Sequence, residues 1–141
     1  MRHKIKHVKQ PTANSCVSAC LAMLLNKPVE EVMADFHDKY YNGWQITVYD
    51  YLIKNGVEAL PYSGGGVERI TSGNIYLATV ASLNIPGSLH QIILDLSDGK
   101  FVIHDPIKGW PGKKFYVGPD EDPEQEGAFI IHSWSIDLLI L

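Results

Sequence analysis

Positions 10, 16, 90 and 105 of this chain carry glutamine, cysteine, histidine and aspartate, a set of side chains suited to acyl transfer. Cys16 stands where the loop residues of "QPTANSC" give way to the apolar run "VSACLAMLL". Pro11, Asn14 and Ser15 are turn and cap residues, while Val17, Leu21, Met23, Leu24 and Leu25 supply helical apolar mass, so a helix is predicted to begin near Cys16. The free N–H groups and the macrodipole at a helix start favour a thiolate over a thiol. A nucleophilic cysteine also needs a base, a group to orient that base and donors for the oxyanion, and the fold can bring these from distant positions. His90 is the candidate base and Asp105 the orienting carboxylate. Gln10 has an amide able to donate to an oxyanion beside the backbone N–H of Cys16.

Each of these residues also has an ordinary structural role. Free cysteine is among the most buried residue types; a histidine can simply open a strand; an aspartate before proline is a frequent turn opener. Their combination points to chemistry more than any one of them does. Cys20, one helical turn beyond Cys16 among apolar neighbours, is expected in the core. His104 precedes Asp105 and on a regular strand points to the opposite face, away from the site. His3, His7, His37 and His132 share no spacing typical of metal ligands and are expected to be surface or half-buried residues. Trp44 and Trp110, beside glycines in loops, either line a cleft or cover the core, with cover the favoured reading.

The elements that must position these groups follow from periodicity. "NKPVEEVMADFHDKYY" restarts as a helix after Asn26, with Pro28 in its first turn and Val29, Val32, Met33 and Phe36 as an apolar stripe. "QITVYDYLIKNGVEAL" predicts a third helix with Ile46, Tyr49, Leu52 and Ile53 on one face, stopped at Asn55-Gly56. "SGGGVER" lacks the surrounding pattern of a phosphate cradle and is expected to be a connecting loop. From Asn74 the pattern turns to strands: "NIYLATVASL", "HQIILDL" and "KFVIHD", the last two joined by the hairpin signal "SDG". Across that hairpin His90 and Asp105 fall near the same end of the sheet, given a bulge or short overhang. "GPDEDPEQEG" is expected to be a solvated loop, and "AFIIHSWSIDLLIL" a strand or a terminal element packed on the core. Helices first and sheet second predict an α+β fold.

Composition narrows the remaining classes. At 141 residues, with 45% hydrophobic and 20% charged residues, the chain has the size and make-up of one soluble globular domain. A net charge of -4 and scattered lysines argue against a nucleic-acid surface. No secretory signal and no membrane-length apolar run is visible, which predicts a cytoplasmic protein with no membrane partner. Cys16 and Cys20, four apart on one helix, are poorly placed to bridge each other and lack the further ligands of a zinc site, so both are expected to be thiols and no metal or cofactor is expected.

In order and spacing, "QPTANSCVSACLAMLL", the pre-sheet helix ending in "NGVEA", and "LHQIILDLSDGKFVIHDP" together resemble the papain-like cysteine peptidases, most closely the bacteriocin-processing branch that removes double-glycine leaders. The resemblance runs from about Val8 to Trp110. It implies a single papain-like domain over residues 1–141, with Cys16 as nucleophile, His90 as general base, Asp105 as orienting carboxylate and Gln10 as oxyanion-hole donor. Val17 departs from that pattern, for such peptidases commonly have glycine after the nucleophile, and a β-branched residue stiffens the backbone there. No transporter segment is recognised within these residues, so export-coupled leader removal is not expected to transfer with the resemblance. The expected activity is hydrolysis of an amide or peptide bond in a peptide or protein substrate through a thioester. Two alternatives stay open: a catalytically silent binding module or inhibitor holding a peptide tail, and an acyltransferase.

Overall fold

The computed structural model describes residues 3–62 and 69–141. The glycine-rich loop expected at "SGGGVER" lies almost wholly outside the described residues. Helix α1 (Cys16–Leu25) begins at the nucleophile candidate and stops at Asn26, whose left-handed φ of 53° ends the helix as expected. The second helical run is interrupted: α2 (Val29–Val32) passes through a π-helical turn (Met33–His37) into α3 (Asp38–Tyr41). Val32 and Phe36 on its apolar stripe are fully buried.

Helix α4 (Val48–Lys54) is shorter than the sequence predicts and presents a different face. Tyr51 and Leu52 are buried, whereas Tyr49 and Ile53, placed on the core face by periodicity, are exposed. The reason is length: with fewer than two turns, one or two side chains anchor the helix, and Thr47 starts it by accepting the N–H of Asp50 at 3.0 Å. The helix stops at Asn55 as expected, and the chain then enters strand β1 (Ala59–Pro61).

Strands β2 (Ile75–Ala81), β3 (Leu89–Asp95) and β4 (Val102–His104) form the expected antiparallel meander. Two short strands, β5 (Phe115–Val117) and β6 (Ala128–Ile130), pair in parallel as a separate ribbon. The final strand, β7 (Ser135–Ile140), enters the middle of the main sheet, whose order is β1-β7-β2-β3-β4. This is a mixed α+β architecture. The sheet is buried on both sides, which explains why β2 and β3 read as continuous apolar runs. Ile75, Leu77, Ile93, Leu138 and Ile140 pack with the helices, while Tyr76, Ala78, Ile92, Leu94 and Ile136 pack with Tyr116 and Ile131 on the other side.

Ile136 and Leu138 have the same strand parity yet belong to opposite faces. The β2–β7 register explains it: Leu77 pairs with Leu138 but Ala78 pairs with Ile136, so Asp137 is the extra residue of a β-bulge.

The acidic loop is more than solvated. Asp120 accepts the backbone N–H of Phe101 at 2.7 Å, and Glu121 accepts those of Ile103 at 2.7 Å and Gly118 at 2.9 Å. Two of its carboxylates thereby occupy donors along the edge strand β4, which has a partner strand on one side only. Gly118 permits that approach, since a Cβ there would lie 2.1 Å from the Phe101 carbonyl oxygen. Among the described residues no helix is long and apolar enough to cross a membrane.

Candidate active site

Strand β4 pairs only with Ile93, Leu94 and Asp95, so the first half of β3 has no strand beside it on that edge. The start of α1 meets β3 there. Gln91 bonds both helical cysteines through its backbone: its N–H points to the Cys16 sulfur, and its C=O accepts the Cys20 thiol at 3.5 Å. Cys20 is fully buried, as expected. The helix start is left without a side-chain cap, because Ser15 turns back on its own loop, its Oγ accepting the Thr12 N–H at 2.9 Å and donating to the Thr12 carbonyl at 3.0 Å. No acidic residue sits in the first turn, so the positive end of the helix faces the Cys16 sulfur unneutralised.

His90 and Asp105 come together by register. With Ile93 opposite His104, the next pair outward sets Asp105 opposite Ile92, hence diagonal to His90 and on the same face. A histidine side chain spans such a diagonal, and His90 Nε2 lies 2.6 Å from Asp105 Oδ1. Asp105 is buried and held rigidly: Oδ1 also accepts the Ile107 N–H at 3.0 Å, and Oδ2 accepts the Tyr116 N–H at 2.9 Å. The loop before Cys16 is fastened to the loop after Asp105, with Gln10 N–H on the Pro106 carbonyl at 2.8 Å and Trp110 Nε1–H on the Gln10 carbonyl at 2.7 Å. His7 adds a bond to the Asp105 carbonyl at 2.8 Å.

With Nε2 on Asp105, Nδ1 is the ring nitrogen left for the hydrogen bond between His90 and Cys16. Burial of His90 disfavours its charged form, but the hydrogen bonds to Asp105 and Cys16 and their negative charges outweigh it and raise its pKa to about 9. Burial likewise opposes ionisation of Cys16, and the His90 hydrogen bond and charge, with the N–H groups of Gln91 and Val17, lower its pKa nonetheless. Cys20 has no such donors, and burial first, then the nearby charges of Cys16 and Asp105, drive its pKa well up. Of two cysteines on one helix, one has its pKa lowered beside His90 and the other has its pKa raised by burial, so Cys16 is the more readily ionised sulfur.

Gln10 reaches the same cleft, but its amide is turned into its own loop. Its Nε2 donates to the carbonyls of Thr12 at 2.8 Å and Ala13 at 3.3 Å. The Val17 side chain is buried in the core and leaves the cleft free while its N–H stays on the sulfur. The cleft, about 690 Å³, runs over Cys16 and His90 between the β2–β3 turn, with Asn84, Ile85 and Gly87, and a wall containing Trp110 and Lys113. Tyr41 also lines it, its pKa pushed to about 12 by burial and by the charge on Cys16.

The structure thus gathers all four sequence-predicted residues at one cleft. His104 points elsewhere, as expected, and pairs with Asp95 at 2.8 Å. His3 and His7 bond backbone carbonyls, and His37 meets the Ser18 hydroxyl at 3.1 Å. For both tryptophans the alternative of lining a cleft describes the structure better than the favoured one of covering the core: Trp44 is 68% exposed and borders a pocket, and Trp110 lines the cleft while tying down Gln10. Sequence reasoning also missed the Gln91 and Tyr116 backbone groups, which carry no side-chain signal, and Tyr41, which looked like any residue of a helical run. Comparison with protein-family models, with curated proteins and with solved structures finds no match for this chain.

Proposed function

We propose that this chain is a cysteine hydrolase of papain-like design that cleaves an amide or peptide bond. The observation that carries the reading is the convergence of Cys16, His90 and Asp105, in which Cys16 and His90 line one cleft and the imidazole has one ring nitrogen 2.6 Å from a buried carboxylate and the other left for the helix-start sulfur. The Cys16 thiolate attacks the carbonyl carbon, and the C=O electron pair moves onto oxygen. The Cys16 backbone N–H and one Gln10 N–H, exchanged from its 3.3 Å bond to Ala13, stabilise the oxyanion. As the C–N bond breaks, His90 gives its proton to the leaving amine; it then takes a proton from water, which attacks the thioester and frees the acid. Asp105 keeps the ring oriented and stabilises its charged form.

A second reading, a papain-like binding module without turnover, is favoured by the inward-facing Gln10 amide, both of whose hydrogens are engaged within its own loop. Labelling by a cysteine-directed electrophile, followed by intact mass and peptide mapping, together with a screen of fluorogenic peptide amides, separates the two. The hydrolase reading expects selective labelling of Cys16 over Cys20 and turnover that Cys16→Ala abolishes. Labelling of Cys16 without turnover of any peptide would establish the binding module; equal labelling of both cysteines would overturn the site itself.

A further inference from the structure

The bulge in β7 places a carboxylate where a regular strand would not. Asp137 is exposed, and its Oδ2 accepts the Thr79 hydroxyl at 2.7 Å and the Gln91 side-chain amide at 2.9 Å. Its Oδ1 has no hydrogen-bond partner among the described residues. The carboxylate borders a pocket of about 360 Å³ walled by Tyr40, Trp44 and Tyr49. Asp137 is the one charged residue among those lining it.

Neighbouring residues line this pocket and the cleft, Tyr40 and Gln91 the one, Tyr41 and His90 the other. Gln91 links them through one residue, its side chain on Asp137 and its backbone on Cys16 and Cys20. Tyr40 lies between, close enough for both the Asp137 and Cys16 charges to reinforce the effect of its burial and raise its pKa. Trp44 is held in an unusual state: it has a left-handed φ of 54°, uncommon for a bulky side chain, and its ring meets that of Tyr40 edge-on at 4.9 Å. An exposed indole kept at a strained position beside a half-satisfied carboxylate calls for a ligand to explain it.

We infer that this pocket is a cation subsite that takes the lysine or arginine side chain of a peptide substrate. Aromatic faces attract an ammonium or guanidinium group, and Oδ1 of Asp137 offers it an acceptor. An apolar side chain would bury that oxygen without a donor, so the same pocket disfavours it. The assignment rests on the hydrolase reading for the word substrate, whereas binding of the cation does not.

Two measurements keep these apart. The first titrates n-butylguanidinium into the uniformly ¹⁵N-labelled protein and follows amide shifts. The second compares the rate at which Cys16 is labelled by a pair of peptidyl electrophiles identical except that one carries arginine and the other its neutral isostere citrulline. Shifts should centre on Thr79, Gln91, Asp137 and the Trp44 indole, and the arginine probe should label at least tenfold faster, a difference of about 1.4 kcal/mol. Asp137→Asn, which retains an acceptor for Thr79 and Gln91, should collapse the ratio towards one, and Trp44→Ala, at an exposed position, should reduce it too. Shifts at this pocket with no labelling of Cys16 by either probe would uphold the cation site and sink the hydrolase reading. Equal labelling by the two probes with no shifts here would overturn the inference and leave the hydrolase reading standing.

Discussion

Asp105→Asn tests the coupling on which the site depends. The substitution keeps the side-chain volume but removes the charge, and the two oxygens it alters are fully used: His90 and Ile107 bond one, Tyr116 the other. However the new amide is turned, its NH₂ faces a backbone or ring donor. The His90 pKa stands at about 9 against an ordinary 6.5, although burial alone would depress it. That rise corresponds to about 3 kcal/mol between the two protonation states, shared by Asp105 and Cys16. Without the carboxylate the imidazole falls back towards its ordinary range. Near about pH 8 a group of pKa about 9 is mostly charged and one of about 6.5 mostly neutral, so Cys16 loses its cation and burial pushes the thiol up. Its alkylation by iodoacetamide at that pH should then slow on the order of tenfold or more, by the usual logarithmic relation of charge to pKa. The linked stability has two parts of opposite sign. The raised His90 pKa contributes fully below 6.5 and is lost as pH rises through about 9, whereas the lowered Cys16 pKa contributes above the ordinary thiol value of 9.0 and is lost as pH falls, so the two offset and the native melting temperature should change little across that window, while Cys16→Ala, which leaves only the His90 part, should show a fall. Alkylation of the variant at the native rate with the native pH profile would refute the account of Asp105 as the support of the ion pair.

Two further outcomes follow from the packing. Cys20→Ala removes the thiol bonded to the Gln91 carbonyl from a fully buried position; it should lower stability by about 1–2 kcal/mol for the lost bond and small cavity, read by urea denaturation, and leave selective labelling of Cys16 intact. Glu121→Ala strips the acceptor from the N–H groups of Ile103 and Gly118; it should cost about 1–3 kcal/mol and raise concentration-dependent association through the uncovered edge of β4, measured by light scattering. An unchanged melting curve and scattering profile for that variant would show that the acidic loop does not guard the strand.

Legibility in the sequence followed the range of the interaction. The start of α1 at Cys16, its stop at Asn26 and the β3–β4 turn at Gly99, with its φ of 77°, are local events written in cap and turn residues. Because that turn also sets which strand ends meet, the neighbourhood of His90 and Asp105 was readable even though 15 residues separate them. The elements read less well were those whose bounds depend on remote partners. Nothing in "SIDLLIL" says that it enters the sheet between β1 and β2, or that Leu77 and Ala78 will skip Asp137 and aim its carboxylate at Thr79 and Gln91; a bulge belongs to a pair of strands, not to one. The acidic loop looked solvated because composition records charge but not the N–H groups of β4 that fold back to meet it. The difference between the two cysteines was only half visible: both lie on one helix in the same apolar run, and it is the backbone of Gln91, 71 residues beyond Cys20, together with His90, that lowers the pKa of one sulfur while burial raises that of the other. Local sequence chose which groups were available, and the long-range register of the sheet decided which of them share a charge.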